Sequence, residues 1–224
     1  MTDATLRTEG FGDASRSSRS SPFGSLTIAF DDRVLEPREW TVAQSAWAAE
    51  LQTTAPAGPV LELCAGVGHI GLLAVVGSER DLVLVDLNPV ASELATINVL
   101  AAGADERVDI RTGSMTDVVG AGEKFPVIIA DPPWVESAAI GRFPEDPQIA
   151  IDGGEDGLDL ARMCCEVIDT HLAEGGSAVL QLGTQQQVDA IDAFLARSSV
   201  SSLRVNEVRS FDRGVLALVS HRVD

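Results

Sequence analysis

Basic residues are scarce in this chain. Sixteen Lys and Arg stand against 34 Asp and Glu, a formal net charge of −18 over 224 residues. A field of that sign repels phosphate backbones and gives non-specific nucleic-acid binding little help, unless a local basic patch or a partner subunit supplies the opposite charge. The excess sits on the later part of the chain, because Asp3, Glu9 and Asp13 balance Arg7, Arg16 and Arg19 near the start. Cysteine is scarce too. Cys64, Cys164 and Cys165 are odd in number, two are adjacent, and none has a metal-type spacing to His69, His171 or His221. Reduced thiols and no metal site are expected. The N-terminus lacks the apolar stretch of a secretory signal. The most apolar window, Gly58 to Gly77, is broken by Glu62 and five glycines, so it reads as strand, turn and helix rather than a membrane span. No internal repeat is visible. A cytoplasmic protein without a membrane partner is expected.

What remains is an ordinary globular composition, 45% apolar and 22% charged, at a length that suits one domain with extra residues at an end. Residues 1–24 include the polar run Ser15 to Pro22 and are expected to be a disordered Ser/Arg-rich tail. Residues 25–57 form an N-terminal extension with one helix, capped by Thr41 and running through Trp47 and Leu51, with the apolar Val42, Ala46 and Ala49 roughly on one face. Residues 58–224 form the main domain. Strands are expected at Val60–Leu63, Leu82–Val85, Val108–Arg111, Val127–Ala130, Ser177–Leu182, Leu203–Arg209 and Val215–Ser220. Helices separate the earlier ones, at about His69–Val76, Pro89–Ala102, Leu158–Leu172 and Gln185–Arg197. Apolar strands alternating with helices mean a parallel sheet covered on both faces, and the last two strands, with no helix between them, pair antiparallel. The fold class is a three-layer α/β sandwich with a mainly parallel seven-stranded sheet.

Two motifs carry chemistry. The first is the turn from Glu62 through Ala65, Gly66 and Gly68 to Gly71, placed where the first strand of a doubly wound sheet meets its ligand. Glycine at 66 and 68 removes side chains that would block a close approach. Asp86 ends the next strand and can accept ribose hydroxyls. Alone, the turn fits either a dinucleotide or S-adenosyl-L-methionine. Glu62 inside the strand favours the second, since it can reach a ligand's ammonium group. The second motif is Asp131-Pro132-Pro133-Trp134 at the end of the fourth strand. Its prolines stiffen the turn and leave carbonyls free. If the Asp131 carboxylate and the Pro132 carbonyl each accept an N–H, a planar nitrogen can aim its lone pair at an electrophilic methyl, with Trp134 stacked on the planar group. Asp131 or water takes the released proton. His69 and His171 read as helix-surface residues, and Glu145-Asp146 as part of a solvated loop in a segment, Gly141–Pro147, able to act as a lid.

On these residues the chain resembles the class I methyltransferases, and among them the HemK-type release-factor glutamine methyltransferases. Val34-Leu35-Glu36-Pro37-Arg38-Glu39-Trp40-Thr41 is similar to the family's V-L-x-P-R-x-x-T segment, and Ala150 to Leu158 to its A-L-x-G-G-x-D-G-L segment. Gly113-Ser114-Met115 falls at the family's G-D turn near the adenine, and Asp131–Trp134 at its N-P-P-Y position. Gly175-Gly176, Gln181 and Gln187 follow its later pattern. The resemblance spans about residues 34 to 220. It implies a Rossmann-like fold and S-adenosyl-L-methionine as cofactor. Glu62, Ala65, Gly66 and Gly68 would hold the methionine end, Asp86 the ribose, Ser114 and Met115 the adenine, and Asp131, Pro132 and Trp134 the target nitrogen. Three departures bear on the substrate: Asp131 stands for Asn, Trp134 for Tyr, and a short tail and one helix stand where bacterial members carry a helical recognition domain. The implied acceptor is a protein glutamine, as in a release factor; a nucleobase amine and a small planar molecule are the alternatives. A small activator subunit, or a non-catalytic role as a cofactor-binding partner subunit, is also compatible.

Overall fold

The computed structural model describes residues 19–198 and 201–222. The chain begins with β1 (Arg19–Phe23) and β2 (Leu26–Phe30), an antiparallel hairpin in register Phe23↔Leu26 to Arg19↔Phe30. This corrects the reading of residues 19–24 as tail; residues 1–18 lie outside the described residues. Composition hid the strand because its anchoring residue is its last. Phe23 is buried with Ile28 and Phe30 in one of the main cores, Gly24 takes the positive φ of +56° that the tight turn requires, and Arg19 lies 4.7 Å over the Phe30 ring. Pro22 is tolerated because this two-stranded sheet has open edges.

A short 3₁₀ turn (Glu39–Thr41) leads into α1 (Val42–Gln52). Thr41 makes no side-chain cap; its hydroxyl donates back to the Arg38 carbonyl at 2.8 Å. The inward face is not the expected one either. Gln44, Ser45, Trp47, Ala48 and Gln52 are buried, Val42 and Ala49 are half-buried, and Ala46 is exposed. The polar members are buried because each donates to a backbone carbonyl: Gln44 to Ala130 and Val179, Ser45 to Ile70, Gln52 to Ala74.

The main domain follows as β3 (Val60–Leu63), α2 (His69–Val75), β4 (Leu82–Asp86), α3 (Pro89–Ala101), β5 (Val108–Thr112), α4 (Met115–Val118) and β6 (Phe125–Ala130). A 3₁₀ segment (Ser137–Arg142), α5 (Gln148–Ile151), α6 (Asp159–His171), β7 (Leu172–Leu182), α7 (Gln185–Arg197), β8 (Leu203–Ser210) and β9 (Val215–His221) complete it. The sheet order is β5-β4-β3-β6-β7-β9-β8, parallel from β5 to β7, with β9 antiparallel to both neighbours. This is the three-layer α/β class expected from the sequence. Alternation along the strands makes its two cores: Leu61, Leu63, Ile128 and Ala130 face one helix layer, while Val60, Val127 and Ile129 face the other.

Position matters more than class. From β3 the chain winds outward through β4 and β5, and then returns to lay β6 on the other side of β3. Such a reversal opens a crevice at the carboxyl ends of the two central strands. Both motifs sit there.

Candidate active site

A cavity of about 570 Å³ occupies the crevice. Ala65 and Gly66 from the turn after β3, Asp86 from β4, Ser114 and Met115 after β5, and Asp131 and Pro133 after β6 all line it. Glu62, Gly68, Pro132 and Trp134 do not. Backbone hydrogen bonds join the strand exits: Ala65 N–H to the Val85 carbonyl at 3.0 Å, and Gly113 N–H to the Asp86 carbonyl at 2.9 Å.

The glycines divide their tasks. A side chain at Gly66 would meet nothing within 4 Å, so the backbone there is open to the cavity. Gly68, at φ +77°, would drive a Cβ to 2.7 Å from Leu84; it serves helix–strand packing. Cys64 adopts φ +57°, the one positive φ outside glycine among the described residues, and lines the cavity. That conformation costs an L-residue about 1–2 kcal/mol.

Three acidic groups belong to the two motifs: Asp86 and Asp131 line the cavity and Glu62 stands behind it. Asp86 accepts the N–H of Gly66 at 2.7 Å on one oxygen and that of Asn88 at 2.8 Å on the other, which aims the carboxylate; burial raises its pKa against those bonds. Glu62 lies wholly buried behind the turn. Its Oε2 accepts the Gly71 N–H at 2.9 Å and its Oε1 has no partner. Burial pushes its carboxyl well above the usual range, with Asp131 and Asp86 adding repulsion. Asp131 receives no side-chain hydrogen bond from the described residues, and burial raises its pKa to about 7.

Four expectations change. The Trp134 ring packs on Gly183 at the end of β7, where an added Cβ would overlap it, rather than lining the cavity. His69 is not a helix-surface residue: it lines the cavity, packs edge-on against Phe23 at 4.7 Å, and burial lowers its pKa to about 3. The hairpin that places Phe23 there carried no sequence signal, although the position of His69 directly after Gly68 did point to the crevice. His171 is likewise buried, its Nδ1 2.9 Å from the Glu123 carbonyl oxygen. Asp146 pairs with Arg38 of the cavity wall at 2.5 Å, while Glu145 beside it is exposed, as expected of a solvated loop. Among the described residues no group of three or more His, Cys, Asp or Glu could hold a metal, and no helix is long and apolar enough to cross a membrane.

Known proteins agree with this geometry. Residues 42–143 match the methyltransferase small domain. The ribosomal protein uL3 glutamine methyltransferase of Francisella tularensis is 28% identical over 73% of this chain and 54% of its own length. The release factor glutamine methyltransferase of Clostridium acetobutylicum is 28% identical over 71% and 58%. The chain therefore spans little more than half the length of these curated relatives. The same-named enzyme of Geobacter sulfurreducens is 29% identical over 86% of this chain and 68% of its own. Two solved structures share the fold. They are a ribosomal protein L11 methylase from Lactobacillus delbrueckii (TM-score 0.62, 16% identity, 86% and 84% coverage) and the hMettl16 catalytic domain in complex with an RNA hairpin (0.70, 13%, 89% and 75%). The crevice, its two motifs and these likenesses together mark the chain as carrying a methyltransferase domain of the class I fold, similar to the HemK-type glutamine methyltransferases.

Proposed function

We propose that the chain is an S-adenosyl-L-methionine-dependent N-methyltransferase whose acceptor is a glutamine side chain of a protein. The observation that carries this is Asp131, a carboxyl without a hydrogen-bond donor at a cavity whose opposite side holds Asp86 and the open backbone at Gly66.

The residues fit the cofactor. Asp86 keeps lone pairs free for two hydroxyls after its two backbone bonds, and a cavity of about 570 Å³ lies within the range for a molecule of nucleoside size. The orphaned Oε1 of Glu62 calls for a donor, which an ammonium group supplies. Ala65 and Gly66 would take the methionine end, with Gly68 shaping the turn, and Ser114 and Met115 would take the adenine. The cofactor supplies an electrophilic methyl on a sulfonium. The chain's own part is to orient the acceptor. Asp131 and the Pro132 carbonyl accept the two amide N–H groups, so the nitrogen turns its lone pair toward the methyl. The proton that the acceptor nitrogen gives up leaves to Asp131 or to water. Pro133 stiffens the turn, and Trp134 forms its outer support.

The relatives named for release factor and uL3 make a translation protein the first acceptor to try, and the net charge of −18 suits a protein better than a phosphate backbone. The test is incubation with methyl-labelled cofactor and each of the two proteins, followed by mass analysis of glutamine-containing peptides. One added methyl, lost in Asp131→Ala, is the expected result. Label absent from both proteins but present on nucleic acid would shift the acceptor to a base amine.

A further inference from the structure

β6 and β7 pair in parallel as far as Ala130↔Leu180, beyond which no further pair joins them. Asp131 to Trp134 follow directly, and their two prolines bring no N–H to hold them. The Asp131 N–H reaches the Leu63 carbonyl of β3 at 3.4 Å, and two glutamine side chains hold the turn on its β7 side. On the upstream side Gln44 of α1, wholly buried, donates Nε2 to the carbonyls of Ala130 at 2.9 Å and Val179 at 3.1 Å. On the downstream side Gln187 of α7 donates Nε2 to the Trp134 carbonyl at 2.9 Å and, more weakly, to the Gly157 carbonyl at 3.5 Å. Its Oε1 accepts the Gly183 N–H at 2.9 Å. Each amide therefore ties the exit of β6 to β7, one before Asp131 and one after Pro133.

The space around the second clamp is closed. At Gly157, φ +72°, a Cβ would lie 2.5 Å from the Trp134 oxygen and 2.7 Å from Gln187 Nε2. At Gly183 a Cβ would overlap the Trp134 ring and lie 2.9 Å from Gln187 Oε1. Trp134 thus has one seat, and the turn between the clamps has little freedom. A neutral amide is suited to this task because one end of it offers both a donor and an acceptor.

We propose that Gln187 and Gln44 are positioning residues, a pair of amide clamps that fix the directions of the Asp131 carboxyl and the Pro132 carbonyl toward the acceptor nitrogen. The proposal rests on the reading of the tetrad given above, and its test separates the two. The chain has three tryptophans, Trp40, Trp47 and Trp134, so fluorine NMR of 5-fluorotryptophan-labelled protein gives three resonances, with Trp134→Phe identifying one. In Gln187→Leu the Trp134 resonance should move or split while the other two stay. Turnover on the acceptor protein should fall about 100-fold through kcat, the scale of a misplaced reacting group. Affinity for S-adenosylhomocysteine should hold within about a factor of two, as expected for a separate site. Gly183→Ala, which presses on the Trp134 ring and on Gln187 Oε1 together, should move the same resonance. An unmoved Trp134 resonance, or collapse of all three together, would overturn the clamp, the latter by making Gln187 a support of the whole fold. A moved resonance with no transfer by the wild-type protein would uphold the clamp and count against the acceptor instead.

Discussion

The Oδ2 atom of Asp86 accepts the backbone N–H of Gly66 at 2.7 Å, joining the end of β4 to the turn after β3 across 20 residues. Its Oδ1 accepts from Asn88, the residue that caps α3 through Val90. One carboxylate therefore shapes the turn, starts the next helix and faces the cavity. Asp86→Asn replaces one acceptor oxygen by an NH₂ group that opposes a backbone N–H. S-adenosylhomocysteine affinity, measured by calorimetry, should fall about 10- to 100-fold, the range for losing a charged hydrogen bond. Retained affinity would remove Asp86 from the binding site.

The raised pKa of Asp131, about 7, makes two predictions of opposite sign. The ionised form accepts an N–H more strongly and can take up the released proton, so kcat/KM should rise with pH through about 7, and Asp131→Ala should lose transfer at every pH while still binding cofactor. Stability runs the other way. The folded pKa lies above the ordinary 3.8, so the group's favourable contribution is complete at acid pH and is lost as pH rises through about 7. Asp131→Asn should therefore melt higher than wild type near pH 8 and lose more than half of that advantage by pH 5, with an upper bound of about 4.5 kcal/mol at 1.4 per unit between 3.8 and about 7. Equal melting differences at the two pH values would mean that Asp131 is not desolvated.

Burial raises the pKa of both Glu62 and Asp131, so a cation beside them should favour ionisation. Binding of S-adenosyl-L-methionine below pH 7 should then release protons. Calorimetric titration in buffers of different ionisation enthalpy measures this directly. Proton uptake would contradict the arrangement.

Cys64 carries strain that glycine would not feel. Cys64→Gly should be neutral or stabilise by up to about 1 kcal/mol, the strain relieved being partly offset by glycine's greater freedom when unfolded. Gly68→Ala should destabilise, because its Cβ would press on Leu84 at a positive φ. Denaturant unfolding of both variants checks the pair.

The parts of this molecule that could be read in the sequence are those where one residue type serves one local purpose. Val60–Leu63 and Gln185–Arg197 were found at their actual limits, since each pairs an apolar rhythm with clear flanking residues. The crevice was legible because glycine turn, Asp86 and tetrad each end a strand. What escaped depends on distant partners. The Arg19–Phe30 hairpin is held by Phe23, Ile28 and Phe30 and a glycine turn, and the polar residues at its start concealed it. The inward face of α1 is polar because its side chains reach carbonyls of other elements, Ser45 and Gln52 on α2 and Gln44 as far as Ala130, 86 residues away. Trp134 turns to Gly183 rather than to the cavity, which requires the β7 exit to be known. Periodicity records how a residue sits on its own element, and none of these three is a property of one element.

The most direct measurement is transfer of labelled methyl from S-adenosyl-L-methionine into an extract of cells lacking this protein, with the product divided between protease and nuclease digestion. The account predicts label that only protease releases, located on glutamine and absent when Asp131→Ala replaces the wild type. Label released by nuclease, label confined to small molecules, or no label would contradict it.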